Sequence, residues 1–107
     1  MSYSIIFSFS FNNEIKHLIK KYPSLKEDII KLIITLKKNP AQGIPLGNNI
    51  YKVRLSVTSK GKGKSGGIRI MTLVQTGENR LILFFIYNKG NRDSLSKKEI
   101  KELIKDL

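Results

Sequence analysis

Tyr3, Ile5, Phe7 and Phe9 alternate with Ser2, Ser4, Ser8 and Ser10. A two-residue period sends one set of side chains to one face of an extended chain, so this stretch predicts a strand with one buried face. Asn12 or Asn13 then offers a cap for a short helix through about Lys21, with Ile15, Leu18 and Ile19 on one side. Pro23 ends it. Ser24-Leu25-Lys26-Glu27 has the spacing of a capping box, and Leu25, Ile29, Leu32, Ile33 and Leu36 follow it as the apolar stripe of a second helix. Asn39-Pro40 stops that helix, because proline disfavours helical geometry in the residue before it. Residues 41–49, rich in Gly and Pro, read as a loop.

Tyr51, Val53, Leu55 and Val57 alternate with Lys52, Arg54 and Ser56, which puts Lys52 and Arg54 together on the face away from the core. A loop of lysines, glycines and serines covers residues 59–67. A third strand is predicted from about Ile68 to Val74 and a fourth from about Leu81 to Tyr87. The fourth is apolar on both faces, as an interior strand must be. Gly77-Glu78-Asn79 suits a hairpin turn between them. Ser96-Lys97-Lys98-Glu99 is a second capping box, with Leu95 and Ile100 at the positions of a hydrophobic staple. Ile100, Leu103, Ile104 and Leu107 give the last helix one face to dock. The predicted fold is α+β, in the order β-α-α-β-β-β-α, with a mainly antiparallel twisted sheet packed by helices. Its 107 residues fit a single domain, 1–107.

Charge changes the picture more than composition does. Twenty Lys+Arg against eight Asp+Glu give a net charge of +12. From Ile29 to Gly77 there is no acidic residue, while Lys31, Lys37, Lys38, Lys52, Arg54, Lys60, Lys62, Lys64 and Arg69 are all positive. A one-signed stretch of this kind sets up a long-range field that attracts polyanions. No segment approaches the roughly 18 apolar residues that span a membrane, and the N-terminus does not read as a signal peptide. With no cysteine, the chain has neither disulfides nor thiolate metal sites, and a cytoplasmic setting is expected.

The candidate chemistry is narrow. His17 is the single histidine, lies near Lys16 and Lys20, and reads as a surface residue; the few carboxylates are dispersed. No metal site and no cofactor are expected. Gly63-Lys64-Ser65 has the ending of a phosphate-binding loop, but Thr58 stands where the first glycine is required, and a strand rather than a helix follows. That leaves Arg, Lys and Tyr. These residues suit RNA cleavage by the substrate's own 2′-hydroxyl, in which negative charge grows on the phosphate oxygens and fixed cations stabilise it. Arg69 shares a strand face with Met71 and Leu73, where an unpaired charge is costly, so it must pair with an acid or meet an anion. Tyr87, Lys89 and Arg92 lie where the fourth strand emerges.

Two segments resemble the RelE/ParE toxin superfamily, in its HigB-like branch. Lys60-Gly61-Lys62-Gly63-Lys64-Ser65-Gly66-Gly67-Ile68-Arg69-Ile70 is similar to the family's basic segment ahead of a strand arginine. Residues 86–96, Ile86-Tyr87-Asn88-Lys89-Gly90-Asn91-Arg92-Asp93-Ser94-Leu95-Ser96, resemble the segment before its closing helix. The resemblance implies a RelE-like fold and the toxin of a type II toxin–antitoxin system: a metal-independent, ribosome-dependent mRNA interferase, and so an endoribonuclease. Its implied partners are a cognate acidic antitoxin, mRNA and the ribosome, with operator DNA met only through the antitoxin and no membrane. It assigns catalysis to Arg69, Lys89, Tyr87 and Arg54, and RNA binding to Lys52, Lys60, Lys62, Lys64 and Arg92. Asn91 stands where the family usually has Glu, and Ser96 where many relatives have Tyr, which leaves the proton acceptor open. A ParE-like gyrase inhibitor and a non-catalytic RNA-binding domain are the alternatives. Convergence of Arg69, Lys52, Arg54, Tyr87 and Lys89 on one face favours cleavage and a scattered arrangement favours gyrase, while a bare binder would leave the message intact.

Overall fold

The computed structural model describes residues 3–58, 67–90, 95–105 and 107. The elements are β1 (Ser4–Phe7), α1 (Phe9–Lys21), α2 (Leu25–Lys38), β2 (Ile44–Gly47), β3 (Ile50–Leu55), β4 (Ile68–Gln75), β5 (Arg80–Asn88) and α3 (Lys97–Ile104). One five-stranded sheet runs in the order β1-β5-β4-β3-β2. β1 pairs parallel with β5, and every other pairing is antiparallel. β5 is interior, as its two apolar faces require.

Both faces of the sheet are covered. α1 and α2 supply Phe11, Ile15, Leu25, Ile29, Leu32 and Leu36 to a core shared with Val53, Leu55, Ile68, Ile70, Val74, Leu81, Leu83 and Ile86. On the other face Ile50, Met71, Ile82, Phe84 and Tyr87 form a smaller cluster, and α3 lays Ile100, Leu103 and Ile104 against it. α3 covers only part of that face, and among the described residues no helix covers the end bearing Arg54, Arg69 and Lys89.

Three sequence expectations are corrected. The first strand stops at Phe7, not Phe9, and the helix cap is Ser8 rather than Asn12 or Asn13: Ser8 is extended and its hydroxyl accepts the Phe11 N–H at 3.2 Å. Capping there turns Phe11 inward to join Ile15, Leu18 and Ile19 on the core side, and leaves Phe9 81% exposed. Ser24 does not close a capping box. Its backbone is already helical, and its Oγ donates to Asp28 Oδ2 at 2.9 Å. Asp28 also accepts the Thr58 N–H (3.1 Å) and hydroxyl (3.0 Å), and so ties α2 to the chain leaving β3. The second box, at Ser96 and Glu99, forms in full.

The third correction is β2, an edge strand inside the segment read as loop. Asn48 and Asn49 both have left-handed backbones (φ 54° and 64°), which gives a two-residue hairpin turn whose twist matches paired strands. Pro45 is tolerated because the strand is at the edge of the sheet. Gly43, at φ +106°, permits the hairpin to sit tightly: a Cβ there would lie 2.6 Å from the Lys52 carbonyl oxygen. β2 thereby walls one side of the uncovered sheet face.

Candidate functional site

Strand register builds the site. Arg54 on β3 is opposite Arg69 on β4, which is opposite Tyr87 on β5, so three side chains form one cross-strand row on the face away from the main core. Lys52 lies one step along that face and pairs with Ile44 of β2. Lys89 follows β5, and its N–H donates to the Gly67 carbonyl at 3.1 Å, extending the β4–β5 pairing by a step. Ile44, Lys52, Arg54, Arg69 and Lys89 line one cleft of about 420 Å³. Four positive side chains from two strands and a turn thus converge, with Ile44 of a third strand beside them, and no acidic residue is among the described residues that line the cleft.

Arg69 is the floor of this site. It is only 5% exposed, yet no carboxylate pairs with it among the described residues. Its Nη1 lies 3.5 Å from the Ile68 carbonyl, a marginal hydrogen bond. A buried guanidinium cannot relieve its desolvation by losing its proton, so it gains most from an anion entering the cleft. Arg54 is exposed, and Lys52 and Lys89 are half-buried, as suits charged heads at the rim of a groove.

Gly67 makes room for the buried arginine. A Cβ on it would stand 2.9 Å from Arg69 Nη1 and 3.3 Å from the Leu55 carbonyl oxygen. The Gly66-Gly67 pair ahead of a strand was the available sign of such a close approach. Ile44, 58% exposed, is the apolar wall of the cleft and was hidden by the reading of residues 41–49 as loop.

The remaining predicted residues fall elsewhere. Tyr87 shares the cross-strand row but is buried in the smaller cluster, its ring 6.0 Å from that of Phe85, and it is not among the residues lining the cleft. Lys60, Lys62, Lys64 and Arg92 lie outside the described residues. His17 is exposed on α1. A larger hollow of about 660 Å³ runs between β1, α1 and α2, but among the described residues Lys37 is the one cation lining it, and Tyr3, Ile5, Phe7 and Ile33 supply much of its wall. Size therefore does not identify the site; the clustering of charge does. Among the described residues, no three His, Cys, Asp or Glu side chains come together, and no helix is long and apolar enough to cross a membrane.

Comparison with known proteins agrees with this architecture. The structure is similar to that of the E. coli toxin RelE, solved as a double arginine-to-alanine mutant in the free state: TM-score 0.66, 15% identity, covering 98% of this chain and 97% of that one. At that identity the likeness concerns the fold. No curated protein matches the chain in sequence. The family model for the RelE toxin of the RelE/RelB toxin–antitoxin system matches residues 11–106. That match takes in all but the first two residues of α1, the whole of α2, the cationic cleft and the closing helix, and the chain accordingly belongs to the RelE toxin family.

Proposed function

We propose that this protein is a ribosome-dependent mRNA interferase that acts in the cytoplasm, cuts translated messages by 2′-hydroxyl attack without a metal, and is restrained by an acidic antitoxin. The observation that carries this reading is the cleft in which Lys52, Arg54, Arg69 and Lys89 meet without a carboxylate among the described residues. Such a surface repels metal cations and attracts a phosphodiester.

The proposed reaction follows from the residue types. The 2′-oxygen loses its proton and bonds to the adjacent phosphorus; the bond to the 5′-oxygen breaks, and that oxygen takes up a proton. The products are a 2′,3′-cyclic phosphate and a 5′-hydroxyl. Arg69 and Arg54 hold the phosphate oxygens as charge accumulates on them, and a planar guanidinium can grip two oxygens at once. Arginine side chains do not exchange their charge in proteins, so proton transfer falls to the two lysines of the cleft, Lys52 and Lys89. Tyr87 supports the row from the buried cluster. The exposed side chain of Ile44 offers an apolar surface for a sugar or base beside the phosphate.

Expression of the protein alone tests the reading. Growth arrest with breaks inside reading frames, seen by primer extension on total RNA and absent with Arg69→Ala, is the expected result. Intact messages with arrested DNA replication would instead indicate a gyrase-directed toxin, and RNA binding without breaks a non-catalytic module. A second prediction concerns Gly67. Gly67→Ala crowds the Arg69 guanidinium and shifts it by a few tenths of an ångström, so the rate is expected to fall by about 10-fold, less than the roughly 10²-fold that a misplacement of about 1 Å costs. Single-turnover cleavage of ribosome-bound message measures this, and a rate equal to wild type would show that the guanidinium tolerates the shift.

A further inference from the structure

The turn that carries Lys89 is held by a side chain that itself stays out of the cleft. Asn88, the last residue of β5, is 7% exposed. Its Oδ1 accepts the Gly90 N–H at 3.0 Å, which bends residues 88–90 into an Asx turn with Lys89 at the centre. Its Nδ2 donates to the Tyr22 hydroxyl at 2.8 Å. Because Oδ1 must face the Gly90 N–H, the amide orientation is fixed, and both ends of the carboxamide are used. Tyr22 is anchored in turn at the end of α1, where its N–H donates to the Leu18 carbonyl at 2.8 Å. Lys89 is tied from the other side by its N–H on the Gly67 carbonyl.

We infer that Asn88 is a positioning residue for Lys89, and that Tyr22 anchors it to the helical layer. This rests on the proposed role of Lys89 in cleavage. A lysine at the rim of a groove has four rotatable bonds and needs a fixed backbone if its amine is to meet one oxygen. Asn88 supplies that fixity from inside the protein: it links the end of α1 to the turn, while Gly67 links the turn to the strand that carries Arg69. Without the carboxamide, Lys89 keeps its charge but loses its direction, so the chemical step suffers while RNA capture persists.

A double-mutant cycle tests this on the full-length protein, by single-turnover cleavage of ribosome-bound message. Asn88→Ala should slow the rate about 10-fold with KM little changed, and Tyr22→Phe should slow it less, in the same direction. With Lys89→Ala already present, either change should cost less than about 2-fold, because its effect runs through the missing amine. Equal losses in both backgrounds, or a wild-type rate for Asn88→Ala, would overturn the inference. If Asn88→Ala does not fold, the cycle is completed with Tyr22→Phe, which removes one oxygen atom. A Lys89→Ala rate equal to wild type would sink the reading of the cleft itself, and is read separately from the cycle.

Discussion

Arg69→Ala is expected to lower single-turnover cleavage by about 10²–10³-fold, the usual cost of removing a preorganised group that stabilises growing negative charge. The effect should appear in the chemical step more than in KM, because Lys52, Arg54 and Lys89 still draw RNA to the cleft. The same substitution should not weaken the fold. Arg69 is a nearly buried cation without a carboxylate partner among the described residues, so removing it relieves a desolvation penalty and breaks no such pair. Thermal unfolding should show a midpoint unchanged or raised, which separates loss of chemistry from loss of structure. Arg69→Lys should restore only part of the rate, since a lysine brings charge without the two-pronged planar grip. An active Arg69→Ala protein would remove the floor from the proposed site.

Changing Lys52 and Arg54 together to alanine should weaken capture in addition to slowing the chemical step. These side chains sit at the rim, exposed or half-exposed, where a charge-assisted hydrogen bond to phosphate contributes about 1.5–3 kcal/mol, so each one removed should weaken affinity roughly 10–100-fold. Binding of a non-cleavable single strand, with deoxyribose at every position, measures it without interference from turnover. The salt dependence gives an independent readout: the slope of log K against log salt should fall by about 0.7 for each phosphate that is no longer neutralised. Weaker binding with an unchanged slope would mean that the two residues support the cleft's shape rather than touch phosphate.

The parts of the fold that the sequence disclosed are those in which one period dominates. The β3 alternation correctly sent Lys52 and Arg54 to one face and Val53 and Leu55 to the other. The α2 stripe and the Ser96 box were equally plain. Errors arose where two signals overlapped. The serine–aromatic alternation ran past Phe7 because Ser8 serves both a strand period and a helix cap, and only the depth of Phe11 in the core decides between them. β2 was missed because Pro45 and the glycines outweighed the Asn48-Asn49 turn, although proline is admissible at an edge. For the site, residue chemistry named the cations, but register alone could align Arg54, Arg69 and Tyr87. Burial of Tyr87 could not be read from its place at the end of a strand. Asn88 was invisible as a functional residue, since it acts through a neighbour, and the Gly66-Gly67 pair signalled only a close approach without saying to what.

The end groups left on cut RNA test the central claim most directly. Ribosomes programmed with a defined message are incubated with the protein, and the fragments are analysed for their termini. A parallel message carries a 2′-deoxynucleotide at the cut position. If cleft cations drive attack by the neighbouring 2′-oxygen, the fragments carry a 2′,3′-cyclic phosphate or its opened phosphate on one side and a 5′-hydroxyl on the other, and the deoxy message stays whole. A 5′-phosphate opposite a 3′-hydroxyl, or cleavage of the deoxy message at the same position, would mean that water rather than the RNA supplies the nucleophile, contrary to this account.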